Sequence, residues 1–348
     1  MGILGPALVR SGLAAARYRL TGHRIPLAVT ITLTHRCDAL CHDCNLPMVP
    51  RAELDTAGWM QIIDSLARVG TIRVGFTGGE PLLRDDIGAL VDRCSSHGMW
   101  TTLETNGYRY PERRKLLGTL GRVMIGLDGR EAAHDRIREP GGWKKAMRAL
   151  EAAAEDDVDR WTTTTLTRHN LGEIDWILDE ADRLGFTAAF QPLIQDRAIA
   201  PASAAALAPT NDQLRKALRT ILDARTNGRR VGVSEKLLRY LLTWEDFRVA
   251  TSTVPHEDVH CVAGQLHCAI DSDGTMLPCS LLAGRFAGIS AAGGNFEPAF
   301  EGVRDNSCKA CASTPLTEYN FLYNLNAPAL FEWGRAIGKG LAAARSSS

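Results

Sequence analysis

Three cysteines lie within eight successive positions near the start of the chain. Cys37, Cys41 and Cys44 follow the spacing C-x3-C-x2-C. Thiolates bind soft metals and iron–sulfur clusters. Three thiolates on a cubane cluster leave one iron without a protein ligand, and that open iron can bind a substrate or a cofactor. The loop alone also allows a zinc site completed by His35 or His42.

A second candidate for ligand binding is the segment TGGEP at residues 77–81. Glycine lets the backbone approach a ligand closely, so Gly78 and Gly79 are predicted to lie against one. Glu80 adds a carboxylate that can accept hydrogen bonds from an ammonium group. A lone Gly-Gly-Glu is typical of a turn, but this one ends a predicted strand that follows the cysteine loop.

Four cysteines in the last third of the chain have the spacing of a second metal site: Cys261, Cys279, Cys308 and Cys311. Gly274 lies in DSDGT, a hairpin turn signal that would bring Cys261 and Cys279 together across two strands. Four thiolates would fully ligate one iron–sulfur centre. Zinc is the alternative, because paired cysteines also form zinc ribbons.

The other cysteines fall outside both patterns. Cys94 is predicted to lie on a helix in the core, and Cys268 in the core along a strand. Three histidines, at positions 256, 260 and 267, crowd the second cysteine set. They are interpreted as polar neighbours, with a substitute metal ligand among them left open.

The elements that must position these residues alternate regularly. Apolar, β-branched runs predict strands at 27–34, 71–78, 99–107, 122–129, 160–167 and 186–194. Helical spacing predicts helices between them at 56–70, 86–98, 113–121, 143–156 and 171–185. Alternating β and α units indicate an α/β fold, a partial (β/α)6 TIM-like barrel. Chemistry in such sheets collects at the carboxyl ends of the strands.

The chain is predicted to divide into five parts. These are a basic amphipathic helix (1–25), the barrel (26–199), a linker with helices at 211–226 and 234–248 (200–255), a cysteine-rich module (256–315) and a helical tail (316–348). The first part has arginines among small and apolar residues. It is predicted to plug one end of the barrel, and contact with a membrane surface is the less favoured alternative.

Composition narrows the class of protein. The 348 residues are 45% hydrophobic and 23% charged, with 40 Lys and Arg against 40 Asp and Glu. This balance gives no electrostatic signal for nucleic-acid binding, and no apolar run is long enough to span a bilayer. Nine cysteines, an odd and clustered set without a convincing secretory signal, favour metal binding in a reduced compartment over disulfides. A cytoplasmic protein is expected.

Over about residues 26 to 195 the sequence resembles the radical S-adenosylmethionine (radical SAM) superfamily. The resemblance rests on the cysteine loop and on Gly78-Gly79-Glu80-Pro81, with weaker support from LETNG (103–107), IGLDGREAAHDRIR (125–138) and LTRHN (166–170). It implies that Cys37, Cys41 and Cys44 hold a 4Fe–4S cluster whose open iron binds S-adenosylmethionine. Reductive cleavage of the cofactor would give a 5′-deoxyadenosyl radical that abstracts a substrate hydrogen.

The resemblance also implies roles for single residues. Gly78, Gly79 and Glu80 would hold the methionine amino group, and Arg138 would be the candidate for its carboxylate, which suits a guanidinium fork. Asn106 and Asn170 are candidates to face the cofactor or substrate, with a turn-forming role as the alternative. Relatives often have Ser before LDG where this chain has Gly126, which puts a ribose contact there in doubt.

The second cysteine set resembles the short "twitch" form of the SPASM domain, which implies an auxiliary 4Fe–4S cluster. The predicted function is hydrogen abstraction from a small molecule such as a sugar, nucleoside or aminocyclitol, with flavodoxin or ferredoxin as reductant. Maturation of a ribosomal peptide is an alternative. It is less favoured because only about 36 residues precede Cys37, which leaves little room for a leader-binding domain. A lipid-linked substrate and a non-catalytic zinc-stapled protein are further alternatives. No catalytic residue is assigned.

Overall fold

The architecture is that of an open α/β barrel. A computed structural model describes residues 4–195, 201, 203–257, 259–304 and 307–330. Six parallel strands follow one another along the chain: β1 (Ala28–Thr32), β2 (Arg73–Thr77), β3 (Trp100–Thr105), β4 (Arg122–Gly126), β5 (Asp159–Leu166) and β6 (Thr187–Pro192). Each pairs in parallel with the next. Their carboxyl ends therefore meet at one edge of the sheet.

Five short strands follow in the C-terminal part of the chain: β7 (Thr251–Ser252), β8 (His267–Ile270), β9 (Thr275–Leu277), β10 (Ile289–Ser290) and β11 (Ala310–Cys311). Strand β8 pairs in parallel with β1, and β9 and β10 extend the sheet beyond it with antiparallel pairing. The order is β10-β9-β8-β1-β2-β3-β4-β5-β6, while β7 and β11 form a separate pair. The sheet is not closed, and the cysteine-rich part of the chain is built onto its β1 side.

The helices of the first half are α1 (Leu4–Thr21), α2 (Thr56–Val69), α3 (Ile87–Ser96), α4 (Tyr110–Arg113), α5 (Glu131–Ile137) and α6 (Gly142–Ala153). Those of the second half are α7 (Ile174–Leu184), α8 (Ala204–Leu207), α9 (Asn211–Thr226), α10 (Glu235–Leu242), α11 (Phe296–Gly302) and α12 (Thr314–Tyr323). None of the helices described is both long and apolar enough to cross a membrane.

Helix α2 shows how local sequence fixes an element. Asp55 precedes it, and its carboxylate accepts a hydrogen bond from the backbone N–H of Gly58 at 2.8 Å, which satisfies an otherwise unpaired amide of the first turn. Gly70 ends the helix in the left-handed conformation with φ of 93°. Trp59 and Ile63 of this helix are fully buried and belong to the same hydrophobic core as Val74 of β2. Apolar spacing and these caps together define the element.

The six predicted barrel strands are confirmed, and the predicted fold class with them. The helix predicted at 113–121 instead begins at Tyr110 and gives way to a 3-10 turn ending at Leu117. The helix predicted at 234–248 ends at Leu242, and helix α5 was not predicted as a separate element. The tail predicted over 316–348 is described only up to residue 330, where α12 forms its start.

Helix α1 packs beside the beginning of β1. Ala15 is fully buried in a small apolar cluster with Leu27, Val262 and Tyr323, which joins α1 to the C-terminal module. The guanidinium of Arg19 donates a hydrogen bond to the Asn324 side chain at 2.9 Å. The described part of this helix is therefore held against the protein by apolar contacts and by this hydrogen bond.

Candidate active site

The cysteine loop follows β1 at the carboxyl edge of the sheet. Cys37 and Cys41 are partly buried and Cys44 is exposed. The loop is held to the end of α5, because the N–H of His42 donates to the Ile137 carbonyl at 2.9 Å. The backbone N–H of residue 39 also points at the Cys37 sulfur, 3.4 Å away. The structure thus brings the three predicted thiols to the place where barrel chemistry is expected.

The protonation of these thiols is set mainly by burial. Burial raises the pKa of Cys37 to about 11 and that of Cys41 to about 12. The nearby Cys44 sulfur adds to both increases, which places all three thiols in one neighbourhood. Metal binding must therefore displace protons from at least two of them at neutral pH.

The two glycines of the second motif face the cysteine loop. The N–H of Gly79 donates to the Thr34 carbonyl and the N–H of Glu80 to the Arg36 carbonyl, each at 2.8 Å. A Cβ at either Gly78 or Gly79 would overlap the backbone of Thr34 or Arg36. We predicted that these glycines let a ligand approach, but the backbone that approaches them is the protein's own. The motif holds the start of the cysteine loop in place.

The Glu80 side chain is directed into the protein and is 0% exposed. Its carboxylate accepts hydrogen bonds from the N–H of Leu82 at 2.8 Å, from the Thr105 hydroxyl at 2.9 Å and from the N–H of Asn106 at 2.9 Å. Burial raises its pKa to about 7, against the lowering effect of these donors. What the structure describes is a carboxylate that joins the ends of β2 and β3; a contact with the methionine ammonium stays a prediction.

Asn106 connects the end of β3 with the cysteine loop. Its side-chain amide donates to the Asp38 carboxylate at 2.9 Å and lies 3.8 Å from the Cys37 sulfur. Its side-chain oxygen accepts from the N–H of Tyr108 at 2.8 Å, which fixes the orientation of the amide. Asp38 is also held by Arg109 at 2.7 Å. Of the asparagines predicted for the site, this one does reach the cysteines.

Arg138 lies at the end of α5, beside the cysteine loop. Its Nε donates to the Asp128 carboxylate at 2.6 Å, and that carboxylate is only 1% exposed. Burial opposes the charge, but the Asp128 carboxylate and the Cys41 sulfur outweigh it and raise the pKa of Arg138. Its two terminal nitrogens make no hydrogen bond within the part of the chain described. A fixed guanidinium with unused donors can bind a carboxylate.

Gly126 is the residue that gives this guanidinium its space. A Cβ there would overlap the terminal atoms of Arg138. A serine side chain at this position would need the room that the Arg138 guanidinium occupies.

Gly126→Ser is therefore expected to lower the free energy of unfolding by about 1–3 kcal/mol, because overpacking pushes the guanidinium away from Asp128. Gly118→Ser is the matched control, since a Cβ at Gly118 meets nothing within 4 Å. Denaturant unfolding of both variants measures the difference. Equal midpoints would show that Arg138 can leave its position at no cost.

Asn170 is fully buried and is used by its own turn. Its side-chain oxygen accepts from the N–H of Thr167 at 2.8 Å, and its amide donates to the Thr165 carbonyl at 2.8 Å. These bonds match the turn-forming alternative considered for this residue. A contact with cofactor or substrate would need a ligand to reach a side chain enclosed by protein.

The second cysteine set surrounds a cavity between β8, β9, β11 and α12. Cys261, Cys279, Cys308 and Cys311 all line it. The hairpin predicted at DSDGT is present as β8 and β9, with Gly274 in the left-handed conformation at φ of 82°. Cys261 precedes β8 instead of lying on it, so the predicted cross-strand pair is wrong in detail although the thiols meet.

The remaining cysteines lie apart from both sets. Cys94, on α3, is 0% exposed and Cys268, on β8, is 2% exposed, both within the main core. As the side chains stand, no group of three or more His, Cys, Asp or Glu residues in the described ranges could hold a metal ion. The four thiols of the second set line a shared space.

A contact that the sequence did not reveal joins the two cysteine regions. Both ring nitrogens of His35 form hydrogen bonds. Nδ1 lies 2.6 Å from the Val49 carbonyl oxygen, and Nε2 lies 2.8 Å from the Asp271 carboxylate. Asp271 follows β8 and also pairs with Arg51 at 3.0 Å. Both ring nitrogens of His35 are therefore engaged, which argues against His35 as a zinc ligand. No local pattern predicts a pairing across more than 200 positions.

The radical SAM superfamily matches residues 31–181. This range begins in the last two residues of β1 and contains the cysteine loop, the Gly78–Glu80 segment and β2 to β5. Residues 31–181 thus form a radical SAM domain. Such a domain uses a 4Fe–4S cluster and S-adenosylmethionine.

Curated relatives are named for peptide maturation. The chain is 37% identical over 169 residues to the mycofactocin maturase MftC of Mycobacterium ulcerans, covering 47% of this chain and 46% of that protein. It is 30% identical over 208 residues to the PqqA peptide cyclase of Rhizobium meliloti, covering 58% and 56%. The chain thus spans about half the length of these relatives.

A solved structure shares the fold. Streptococcus suis SuiB, described as bound to its precursor peptide SuiA, superposes with a TM-score of 0.66 at 16% identity, over 84% of this chain and 72% of SuiB. At this identity the likeness concerns the fold alone.

These comparisons correct the predicted substrate. The predicted action on a sugar, nucleoside or aminocyclitol is wrong, because the relatives named here are a maturase and a peptide cyclase. The predicted small-molecule partner is wrong for the same reason. The argument from the short stretch before Cys37 is overturned by the same finding.

Proposed function

We propose that this chain is a radical SAM maturase that modifies a peptide. The observation on which the proposal depends is the three-thiol loop at the carboxyl edge of the sheet, seated on the Gly78–Glu80 segment. The names of the relatives supply the substrate class. When bound, the cluster and S-adenosylmethionine would supply a 5′-deoxyadenosyl radical, with an electron from a reductant such as flavodoxin or ferredoxin.

The protein's own part is to position these groups. Cys37, Cys41 and Cys44 would hold the cluster, and the loop they lie on is tied to β2 and to the end of α5. Arg138 would bind the methionine carboxylate with its unused terminal nitrogens, since Asp128 fixes its orientation through Nε. Asn106 would keep the Cys37 side of the loop in place through Asp38.

We extend the proposal to an auxiliary 4Fe–4S cluster held by Cys261, Cys279, Cys308 and Cys311. Four cysteine thiolates are a complete ligand set for such a cluster. The four thiols line one shared cavity, as the ligands of a single centre must. The pairing of β8 with β1 would hold this second site against the radical SAM domain.

The substrate class can be tested with short peptides encoded beside this gene. Anaerobic protein, dithionite and S-adenosylmethionine are expected to convert a cognate peptide to a product of altered mass, with 5′-deoxyadenosine formed in matching amount. Deuterium placed in the peptide is expected in the 5′-deoxyadenosine, because the radical takes its hydrogen from the substrate. Mass spectrometry measures both.

The Cys37→Ala variant, which removes one cluster ligand, is the control for chemistry without the protein's radical. A peptide substrate would be contradicted by one result. In that result 5′-deoxyadenosine forms without peptide, and none of the peptides encoded beside this gene transfers its label.

A further inference from the structure

Two buried nitrogen atoms line the same cavity as the four cysteines. His267 begins β8 and is 2% exposed, and Asn320 lies on α12 and is 1% exposed. Neither the His267 Nε2 nor the Asn320 Nδ2 has a hydrogen-bond partner among the residues that the structure describes. Both residues line the cavity with Cys261, Cys279, Cys308 and Cys311. A buried polar atom left unpaired costs about 1–3 kcal/mol, so each of these atoms calls for a hydrogen-bond partner.

The donor character of Asn320 follows from its other bond. Its side-chain oxygen accepts from the backbone N–H of Val262 at 3.0 Å. An N–H can only donate, which places the NH2 group on the opposite side of the amide. Asn320 therefore presents a donor with no oxygen to receive it.

The side chains of the other residues that line the cavity offer no acceptor to these atoms. They are apolar and belong to Ala263, Leu281, Leu282 and Leu316. The cysteine sulfurs are then the side-chain acceptors that share this cavity, and thiolate or sulfide sulfur accepts hydrogen bonds more strongly than a neutral thiol because it is charged.

We propose that His267, protonated on Nε2, and Asn320 donate hydrogen bonds to the sulfur atoms of the auxiliary cluster and thereby raise its reduction potential. The inference depends on the proposed auxiliary cluster. Hydrogen bonds to the sulfurs are one of the factors that set the potential of such a cluster. Donors stabilise the reduced state more than the oxidised one, because reduction adds negative charge. His267 and Asn320 are positioning residues and not ligands.

The test uses the full-length chain with Cys37, Cys41 and Cys44 replaced by Ala, so that only the second cluster can form. After anaerobic reconstitution, a potentiometric titration followed by electron paramagnetic resonance gives its potential. His267→Phe keeps a ring but removes the donor. At a given applied potential, it is expected to lower the ratio of reduced to oxidised cluster at least about threefold. The double variant with Asn320→Leu is expected to lower this ratio about tenfold. A tenfold shift corresponds to ~59 mV for a one-electron couple.

Tyr319→Phe is the matched control, because Tyr319 packs beside the His267 ring, with centroids 5.9 Å apart, but does not line the cavity. Its potential should be unchanged, and His267→Gln, which restores an N–H donor, should recover part of the loss.

An unchanged potential in His267→Phe with full iron content overturns the inference and leaves the auxiliary cluster standing. Loss of iron in that variant also overturns it, since His267 would then be a ligand. Absence of any cluster in the triple-alanine background refutes the auxiliary site itself, and with it the donors' role. Should His267→Phe fail to fold, the Asn320→Leu potential and the visible absorption of His267→Gln decide the matter.

Discussion

Replacing Cys37, Cys41 and Cys44 together by Ala is expected to abolish 5′-deoxyadenosine formation under dithionite. No open iron would remain to bind S-adenosylmethionine, because all three proposed ligands are gone. Iron is expected to fall from about eight to about four per chain, since the second thiol set is complete without them. The fold should persist, because the loop's thiols are partly buried or exposed and make few core contacts.

Two other cysteines provide the control for this triple replacement. Cys94→Ala and Cys268→Ala change buried thiols that belong to neither set. Both are expected to keep the full iron content and the cleavage activity, with a small loss of stability. Iron analysis and chromatography of 5′-deoxyadenosine measure the outcome. If the triple variant still cleaves the cofactor, the N-terminal loop is not the radical-generating site.

The barrel was predictable because its signals are local. Strand β1 has fully buried Val29 and Ile31 alternating with threonines, and such β-branched runs are typical of strands. Spacing alone was also sufficient to group the cysteines, since a short loop after a strand leaves its thiols close together. The β8–β9 hairpin followed from its turn residues, with Gly274 in the conformation that such a turn requires.

The parts that could not be predicted depend on long-range contacts. Nothing in the residues of β8 shows that it pairs with β1, because pairing between strands distant in sequence leaves no local pattern. The sequence Gly78-Gly79 indicates that another group packs closely against this segment, but it does not show which group. In the structure that group is the backbone of Thr34 and Arg36. The burial of Glu80 and its hydrogen bonds to the end of β3 could not be predicted either, because a sequence gives no burial.

The substrate class was mispredicted for a chemical reason. Peptide and small-molecule radical SAM reactions begin with the same hydrogen abstraction, so the motifs on which the resemblance rests carry no information on the substrate. Only comparison with named relatives separated the two alternatives.

Replacing Cys261, Cys279, Cys308 and Cys311 by Ala is expected to have the opposite pattern of effects. Iron should again fall to about four per chain, but S-adenosylmethionine cleavage without peptide should persist, because the first loop is intact. Stability should fall by on the order of 3 kcal/mol or more. Cys279 and Cys311 are buried, and the C-terminal module would lose a metal site that contributes to its folding.

Peptide modification in this variant is expected to be lost even though the cofactor is still cleaved. The module bearing the second site adds β8 to the edge of β1, and Asp271 after β8 holds His35, two residues before Cys37. Disorder in the module would therefore reach the mouth of the barrel, where substrate must be positioned. Cys268→Ala, in β8 but outside the cavity, is the matched control. Full iron content in the four-alanine variant would place the second cluster elsewhere, and unimpaired peptide turnover would remove the module from the reaction.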